Sequence, residues 1–344
     1  VIPALAIARE LRDAHGAEVR FVGTARGLET RLVPEAGFGL ELVRSGQLKN
    51  VSLRTRRRTA VDLPMGVVEC ARLIRDFKPQ VVVGVGGYAS GPGMLAAILK
   101  RVPTLAFEPN AVPGMTNRWV GKWVSAAAVN FAQTTRYFRN ATVTGVPVRA
   151  EISALGRRPS GADPRLLVTA GSNGALLFNE ALPKIAVRLL EAAPGLTIVH
   201  QAGARRLEQT RAEFAASGAD AARWRVEAFL DDMPAELAAA DLVLCRSGAG
   251  TVAELCAAGK ASVLVPFAAA ADDHQRMNAE AMAEAGAARM LTEGEFSQER
   301  LLGDLVGMLG DSDALRAMGE RARGMARPDA VKEIAGMVAG LAQL

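Results

Sequence analysis

The chain has 344 residues, of which 50% are hydrophobic, 22% charged and 5% aromatic, and its formal net charge is +5. That length exceeds one ordinary core and suits two domains, and a charged share this modest argues against wholesale disorder. The positive balance favours anionic partners (phosphates, nucleotides, acidic lipid), and with so few aromatics and no basic stretch interleaved with them, nucleic acid is not an expected partner.

Three cysteines, Cys70, Cys245 and Cys256, lie far apart in apolar contexts without metal-ligand or redox spacing. They read as reduced core thiols of a cytosolic protein. No apolar run approaches the roughly 18 residues needed to cross a bilayer, and no signal peptide is evident.

Helical spacing starts with the first residues: Ile2, Leu5, Ala6 and the run from Ala8 to Leu11 recur on one face, and Pro3 suits a first turn. An α/β chain places a strand and a turn before such a helix, and there is no initiator Met. The expectation is that the natural N-terminus is missing. In the first half the patterns predict strands over 18–22, 40–43, 80–85, 104–107, 126–130 and 141–144, with helices over 2–14, 26–35, 61–77, 91–100 and 115–124. The run Gly145-Val146-Pro147-Val148-Arg149 and a polar stretch over 156–164 read as a break and linker. The alternation then restarts, with strands over 165–169, 197–201, 224–228, 242–245 and 262–265. Helices are predicted over 175–193, 205–217, 232–239, 251–258, 275–285, 298–309, 313–325 and 329–344.

Strand–helix alternation of this kind predicts an α/β fold with two doubly wound Rossmann-like domains facing each other across a cleft. The expected domains are 1–150 and 151–327, with 328–344 a C-terminal helix returning to the first.

Several strand-to-helix turns are rich in glycine, and ligands of open α/β sheets bind outside the carboxyl ends of the strands. After the apolar run Leu242 to Cys245, the turn Ser247-Gly248-Ala249-Gly250 precedes a helix expected to open at Thr251. A bare glycine turn lets amides approach a phosphate, and the helix N-terminus adds partial positive charge worth about 0.3–2 kcal/mol to an anion. Glu254, one turn into that helix, is placed to accept hydrogen bonds from ribose hydroxyls. The turns from Val85 to Gly93 and from Thr169 to Gly174 offer the same chemistry, with Ser90 and Ser172 adding hydroxyl donors. The plain alternative is a βα turn that needs positive φ. Asp272-Asp273-His274-Gln275, with Asn278, follows another strand, and its carboxylates and Gln275 are candidates for sugar hydroxyls; helix capping is the alternative. Glu108 and Asn110 follow a strand of the first half, and Arg149 is placed to neutralise phosphate or simply to sit on the hinge surface. Asp311-Ser312-Asp313 has the look of a metal-binding triplet, but its place between two helices favours capping; His15 and His200 read as solvated or structural, and no metal is expected.

These residues together resemble the MurG family, bacterial transferases that add N-acetylglucosamine to a lipid-linked muramoyl-pentapeptide. The carriers are Gly84-Val85-Gly86-Gly87-Tyr88-Ala89-Ser90-Gly91-Pro92, Glu108-Pro109-Asn110 with Gly114 and Thr116-Asn117, and Gly145-Val146-Pro147-Val148-Arg149. Further along they are Gly171-Ser172 with Gly174-Ala175, Phe229-Leu230-Asp231-Asp232-Met233, Arg246-Ser247-Gly248-Ala249 with Thr251 and Glu254, and Asp273-His274-Gln275 with Asn278. The resemblance spans essentially the whole chain and implies a glycosyltransferase-B fold and metal-independent, inverting transfer without a cofactor. It implies that UDP-N-acetylglucosamine is the donor and undecaprenyl-pyrophosphoryl-N-acetylmuramoyl-pentapeptide the acceptor, giving lipid II for peptidoglycan synthesis at the cytoplasmic face of the inner membrane. Donor-binding residues implied in this way are Asn110, Arg149, Ser172, Leu230 beside uracil, Ala249, Gly250, Thr251, Val252, Ala253, Glu254 at the ribose and Gln275 at the sugar. Gly86, Gly87, Tyr88 and Ser90 would take the acceptor diphosphate, and Glu108 and Asn110 are possible contributors to catalysis.

The chain departs from the family pattern at three places. The family's opening strand and Gly-Gly-Thr-Gly-Gly-His loop, whose His is a candidate base, would precede Val1; Phe107 stands where the family usually has His; Ala170 and Asn173 replace the usual Gly and Gln. Loss of a general base commonly costs about 10²–10⁴-fold, so the chain as it stands is expected to be impaired in transfer. For a membrane-facing surface the candidates are Arg54, Arg56, Arg57 and Arg58, followed by Leu63, Met65, Val67 and Val68, with Trp119 and Trp123; a solvated charge run before a core helix is the alternative. Two other functions remain open: a sugar-nucleotide epimerase of the same fold, which needs no lipid, and a non-catalytic nucleotide-sugar-binding module.

Overall fold

The computed structural model describes residues 1–25, 27–45, 53–87, 89–156, 163–270 and 273–343, with backbone alone over 53–61. They form two compact units: Val1–Pro147 with Arg327–Leu344, and Val148–Ala326.

The first unit opens with α1 (Ile2–His15), which carries Pro3 in its first turn as its fixed φ allows. Gly16 ends the helix at φ +63°, returning its amide to the Arg12 carbonyl, while the Ala17 amide reaches back to the Leu11 carbonyl. Leu5 and Ala8 of α1 pack on Val33 and Phe38. The chain continues through β1 (Arg20–Gly23), α2 (Glu29–Glu35), β2 (Gly39–Leu42), α3 (Leu53–Phe77), β3 (Val82–Gly84), α4 (Ser90–Leu99), β4 (Thr104–Glu108), α5 (Met115–Val120), β5 (Ala126–Val129) and β6 (Ala141–Val143). All pairings are parallel, but the six strands form two sheets, β1–β2 and β3–β4–β5–β6. Every residue of β4 is buried, as a strand with a neighbour on each edge and helices over its faces should be.

Helix α3 begins eight residues before the expected 61. The arginine run has no apolar period to read, yet arginine is a good helix former. Helix α5 ends earlier than the expected 124, at Val120. A Cβ on the following Gly121 would lie 2.6 Å from the Tyr137 carbonyl oxygen, so the backbone closes there on a 3₁₀ turn, Ala132–Tyr137, that the sequence pattern does not announce.

The second unit contains α6 (Ala150–Ser153), β7 (Arg165–Thr169), α7 (Leu176–Ala192), β8 (Thr197–Gln201), α8 (Leu207–Ala216), β9 (Trp224–Glu227) and α9 (Met233–Ala239). It continues with β10 (Leu242–Cys245), α10 (Ala249–Ala258), β11 (Ala261–Leu264), α11 (His274–Glu284), β12 (Arg289–Met290), α12 (Gln298–Leu309) and α13 (Ser312–Gly324). Its single parallel sheet has the order β12–β11–β10–β7–β8–β9. A core of Leu166, Val168, Leu182, Leu189, Leu242 and Val263, with their neighbours, fills the space beneath the helices. After Ala326 the chain returns to the first unit, where α14 (Ala330–Ala342) packs against α1.

Candidate functional site

In the second unit's sheet the chain departs from β7 towards one edge and from β10 towards the other, which makes their junction the topological switch point. Thr169 pairs with Cys245, so the turns after the two strands leave the sheet side by side.

The turn after β10 differs from the expectation. Helix α10 opens at Ala249, two residues before Thr251, with Gly248 as N-cap at φ −63° and ψ 145°. The helical ladder begins with the Val252 amide donating to the Gly248 carbonyl at 3.0 Å, so the amides of Ala249, Gly250 and Thr251 precede it. Gly248 has no side chain to cap them, and the positive end of the helix faces outward with them. Ala249, Val252 and Ala253 all have buried side chains, and the Val252 amide belongs to the helix.

The turn after β7 needs its glycines. Gly171 and Gly174 have φ of +70° and +66°, and the Gly174 amide donates to the Gly171 carbonyl at 3.1 Å. A Cβ on Gly174 would sit 2.0 Å from the Ala202 carbonyl oxygen, and one on Gly203 would sit 2.2 Å from that of Asn173. The turns after β7 and β8 therefore touch backbone to backbone, leaving Ser172 exposed at the tip. Gln201, the last residue of β8 and buried, donates from Nε2 to the Gly171 carbonyl at 2.7 Å, and its Oε1 accepts the Leu230 amide at 2.9 Å. Leu230 itself has a buried side chain between β9 and α9, and Asp232 caps α9 by accepting the Ala235 amide. Sequence reasoning passed over Gln201; a polar residue closing a strand two residues before Gly203 was the available signal.

Glu254 and Arg149 form an ion pair, Arg149 Nη2 to Glu254 Oε1 at 3.0 Å. Burial raises the Glu254 carboxyl above its ordinary value, and Arg149 opposes that shift. Beneath them Cys245 is fully buried, its thiol pushed up to about 12 by desolvation and then by the Glu254 charge.

The loop after β11 is tied to the loop after β10. Ser247 Oγ donates to the Gln275 carbonyl at 2.7 Å, and buried Asn278 donates from Nδ2 to the Ser247 carbonyl at 3.1 Å. Gln275 Oε1 accepts the Phe267 amide at 3.1 Å, which orients its carboxamide. Arg246 pairs with Glu293 at 2.6 Å and lies between the rings of Phe178 and Phe267, each centroid 5.3 Å away. Asp273 starts α11 in the left-handed region at φ +56°; its carboxylate pairs with Arg276 instead of capping the helix. Asp272 lies outside the described residues.

In the first unit, Gly86 and Gly87 follow β3 with φ of +81° and +82°, and Ser90 is the first residue of α4. Tyr88 lies outside the described residues. β4 is the neighbour of β3, so the loop from Pro109 leaves the same sheet edge. Glu108 organises that loop: Oε1 accepts the Asn110 amide and side-chain Nδ2, both at 3.0 Å, and Oε2 accepts the Gly114 amide at 3.0 Å and Asn117 Nδ2 at 2.9 Å. Four donors occupy a carboxylate's acceptor sites, which suits scaffolding better than proton transfer. Phe107 is buried in β4.

Asp311 caps α13, accepting the Ala314 amide at 2.9 Å. All three cysteines are free and buried. His15 is exposed, whereas His200 is buried in β8 against the Phe214 ring. Among the described residues no helix is long and apolar enough to cross a membrane.

Residues 1–129 match the model of the glycosyltransferase family 28 N-terminal domain, and 165–334 that of the C-terminal domain. A Solibacter usitatus protein named UDP-N-acetylglucosamine–N-acetylmuramyl-(pentapeptide) pyrophosphoryl-undecaprenol N-acetylglucosamine transferase is 42% identical over 345 residues, covering 100% of this chain and 93% of its own. The crystal structure of Acinetobacter baumannii MurG superposes with a TM-score of 0.84 at 31% identity, covering 98% of this chain and 95% of that one. A UDP-N-acetylglucosamine 2-epimerase structure matches with a TM-score of 0.67 at 14% identity, over 98% of this chain and 92% of that one, a likeness of fold alone.

Proposed function

The chain belongs to glycosyltransferase family 28, with the MurG transferases, and from that premise we propose that it moves N-acetylglucosamine from UDP-N-acetylglucosamine to undecaprenyl-pyrophosphoryl-N-acetylmuramoyl-pentapeptide, converting lipid I to lipid II. The observation that carries this reading is the uncapped start of α10 beside the Ser172 turn at the switch point. The fold does not itself require glycine at 248 or 250. Gly248 has ordinary extended backbone, and a Cβ at either position would meet no atom within 4 Å. Close approach of a diphosphate to bare backbone supplies the reason.

In this site the amides of Ala249, Gly250 and Thr251, with Ser172, hold the donor diphosphate. Glu254 accepts hydrogen bonds from the ribose hydroxyls. Arg149, paired with Glu254, offers its guanidinium to the phosphates. Leu230, its side chain buried, faces uracil partly through its backbone. Because Gln275 Oε1 is committed to Phe267, its NH₂ group is the one offered to the sugar. In the first unit, Gly86, Gly87 and Ser90 hold the acceptor diphosphate, and Asn110 is offered from the loop braced by Glu108. The acceptor hydroxyl attacks the anomeric carbon opposite UDP, inverting the centre. Negative charge builds on the departing phosphate, and the fixed dipoles of α10 stabilise it with no reorganisation at the moment of reaction.

The test is purified protein with sugar-labelled UDP-N-acetylglucosamine and lipid-linked acceptor, with and without EDTA. Label entering the lipid fraction in both conditions is the expected result. UDP-N-acetylmannosamine formed without acceptor would make the chain an epimerase, and UDP binding without turnover would leave a binding module.

A lipid-linked acceptor places the reaction at the cytoplasmic face of the inner membrane. The side chains of Arg54 and Arg56 to Arg58 lie outside the described residues. Support comes instead from the adjacent helices α3, α4 and α5, which expose Met65 and Val68, Leu95 and Leu99, and Trp119 with, just beyond α5, Trp123. Beside the tryptophans is a recess of about 390 Å³ lined by Arg118, Lys122, Arg136, Tyr137, Phe138 and Arg139, with no acidic residue. Apolar rings beside a cluster of cations suit peripheral contact with an anionic bilayer.

A further inference from the structure

We infer that Gln201 is a positioning residue for donor binding, one carboxamide that holds the phosphate-side turn and the base-side segment in a single register. The inference rests on the donor-site reading above. Gln201 ends β8, next to β7 in the sheet, and is 2% exposed. Its Nε2 donates to the Gly171 carbonyl at 2.7 Å, and its Oε1 accepts the Leu230 amide at 2.9 Å. These partners lie 30 residues before it and 29 after it, in loops that no backbone hydrogen bond of the sheet joins.

A carboxamide suits the task because it carries a donor and an acceptor at opposite corners of one rigid plane. Drawing the Leu230 amide inward also aims the preceding carbonyl, that of Phe229, the opposite way, since the two point apart across a trans peptide. The Gly174–Gly203 backbone contact ties the turn after β7 to the turn after β8, the strand that carries Gln201. Ser172 and Leu230, at the two ends of a nucleoside diphosphate, are thus held by one buried side chain.

The test compares Gln201→Met, which keeps the length and loses both hydrogen bonds, with Gln201→Glu assayed at alkaline pH so that its buried carboxyl is ionised, which keeps the acceptor for Leu230 and turns an anion on the Gly171 carbonyl. For Gln201→Met the donor KM should rise about thirtyfold, the scale of two lost hydrogen bonds, with kcat within about twofold and acceptor KM unchanged. For Gln201→Glu, uridine affinity should return towards that of the parent while UDP affinity stays weak. A lower melting temperature with an unchanged donor KM in Gln201→Met overturns the proposal, as does a Gln201→Glu protein that loses uridine and UDP equally. Hydrogen exchange of the parent with UDP separates the two levels. Protection over 171–174 and 229–232 supports the donor-site reading whatever the variants do; protection elsewhere sinks that reading, and this inference with it.

Discussion

His200 has neither ring nitrogen hydrogen-bonded, and burial pushes its pKa down to about 3. The unfolded chain binds that proton near pH 6.5 and the folded chain does not. Stability from this residue is therefore complete above pH 6.5 and falls with pH towards 3. Between pH 7 and pH 5 the loss should be about 2 kcal/mol. Urea unfolding at the two pH values checks it: His200→Phe should remove most of the difference, and an equal loss in the variant would point to other groups. The glycines divide in the same residue-level way. Gly174→Ala drives a Cβ into the Ala202 carbonyl at positive φ and should cost more than about 2 kcal/mol. Gly250→Ala meets open space inside a helix, where alanine is favoured by up to about 1 kcal/mol. It should raise the melting temperature and weaken UDP-N-acetylglucosamine binding, a combination that calorimetry of one variant reads directly.

At the level of elements, capping explains what a metal-like triplet is doing. Asp311→Ala removes the cap of α13 and should cost about 1 kcal/mol, while transfer by the variant and its indifference to EDTA stay as in the parent; a variant that folds normally but no longer turns over would contradict this. Many strands were legible as short, largely apolar runs between helical patterns, and β7, β8 and β10 begin and end where the pattern puts them. The start of α10 was not, because Gly-Ala-Gly reads as a turn until the Val252 amide is seen closing on Gly248. The two-residue strand β12 and the helix α6 are too short for any period to show. Of the candidate site, the glycine turns and Glu254 are the parts that local spacing points to. Gln201 was not, because its meaning lies in partners about thirty residues away on either side.

On the scale of the whole molecule, membrane contact should be a property of the first unit. Paired Trp119→Ala and Trp123→Ala substitutions of these exposed rings should reduce sedimentation with anionic vesicles severalfold and leave UDP binding unchanged; undiminished sedimentation would move the contact elsewhere. Charge contributions from the Arg118, Lys122, Arg136 and Arg139 recess should appear as weaker binding in high salt and to uncharged vesicles. The return of α14 to α1 also bears on how the protein is made. Synthesis runs from the amino end, so α1 leaves the ribosome early and waits for a partner encoded some 315 residues downstream. By then all of 148–326 has emerged and is free to fold around its own sheet. The second unit can therefore fold before α14 reaches α1, so a released chain truncated before Ala330 should already bind UDP yet remain open to proteases at α1.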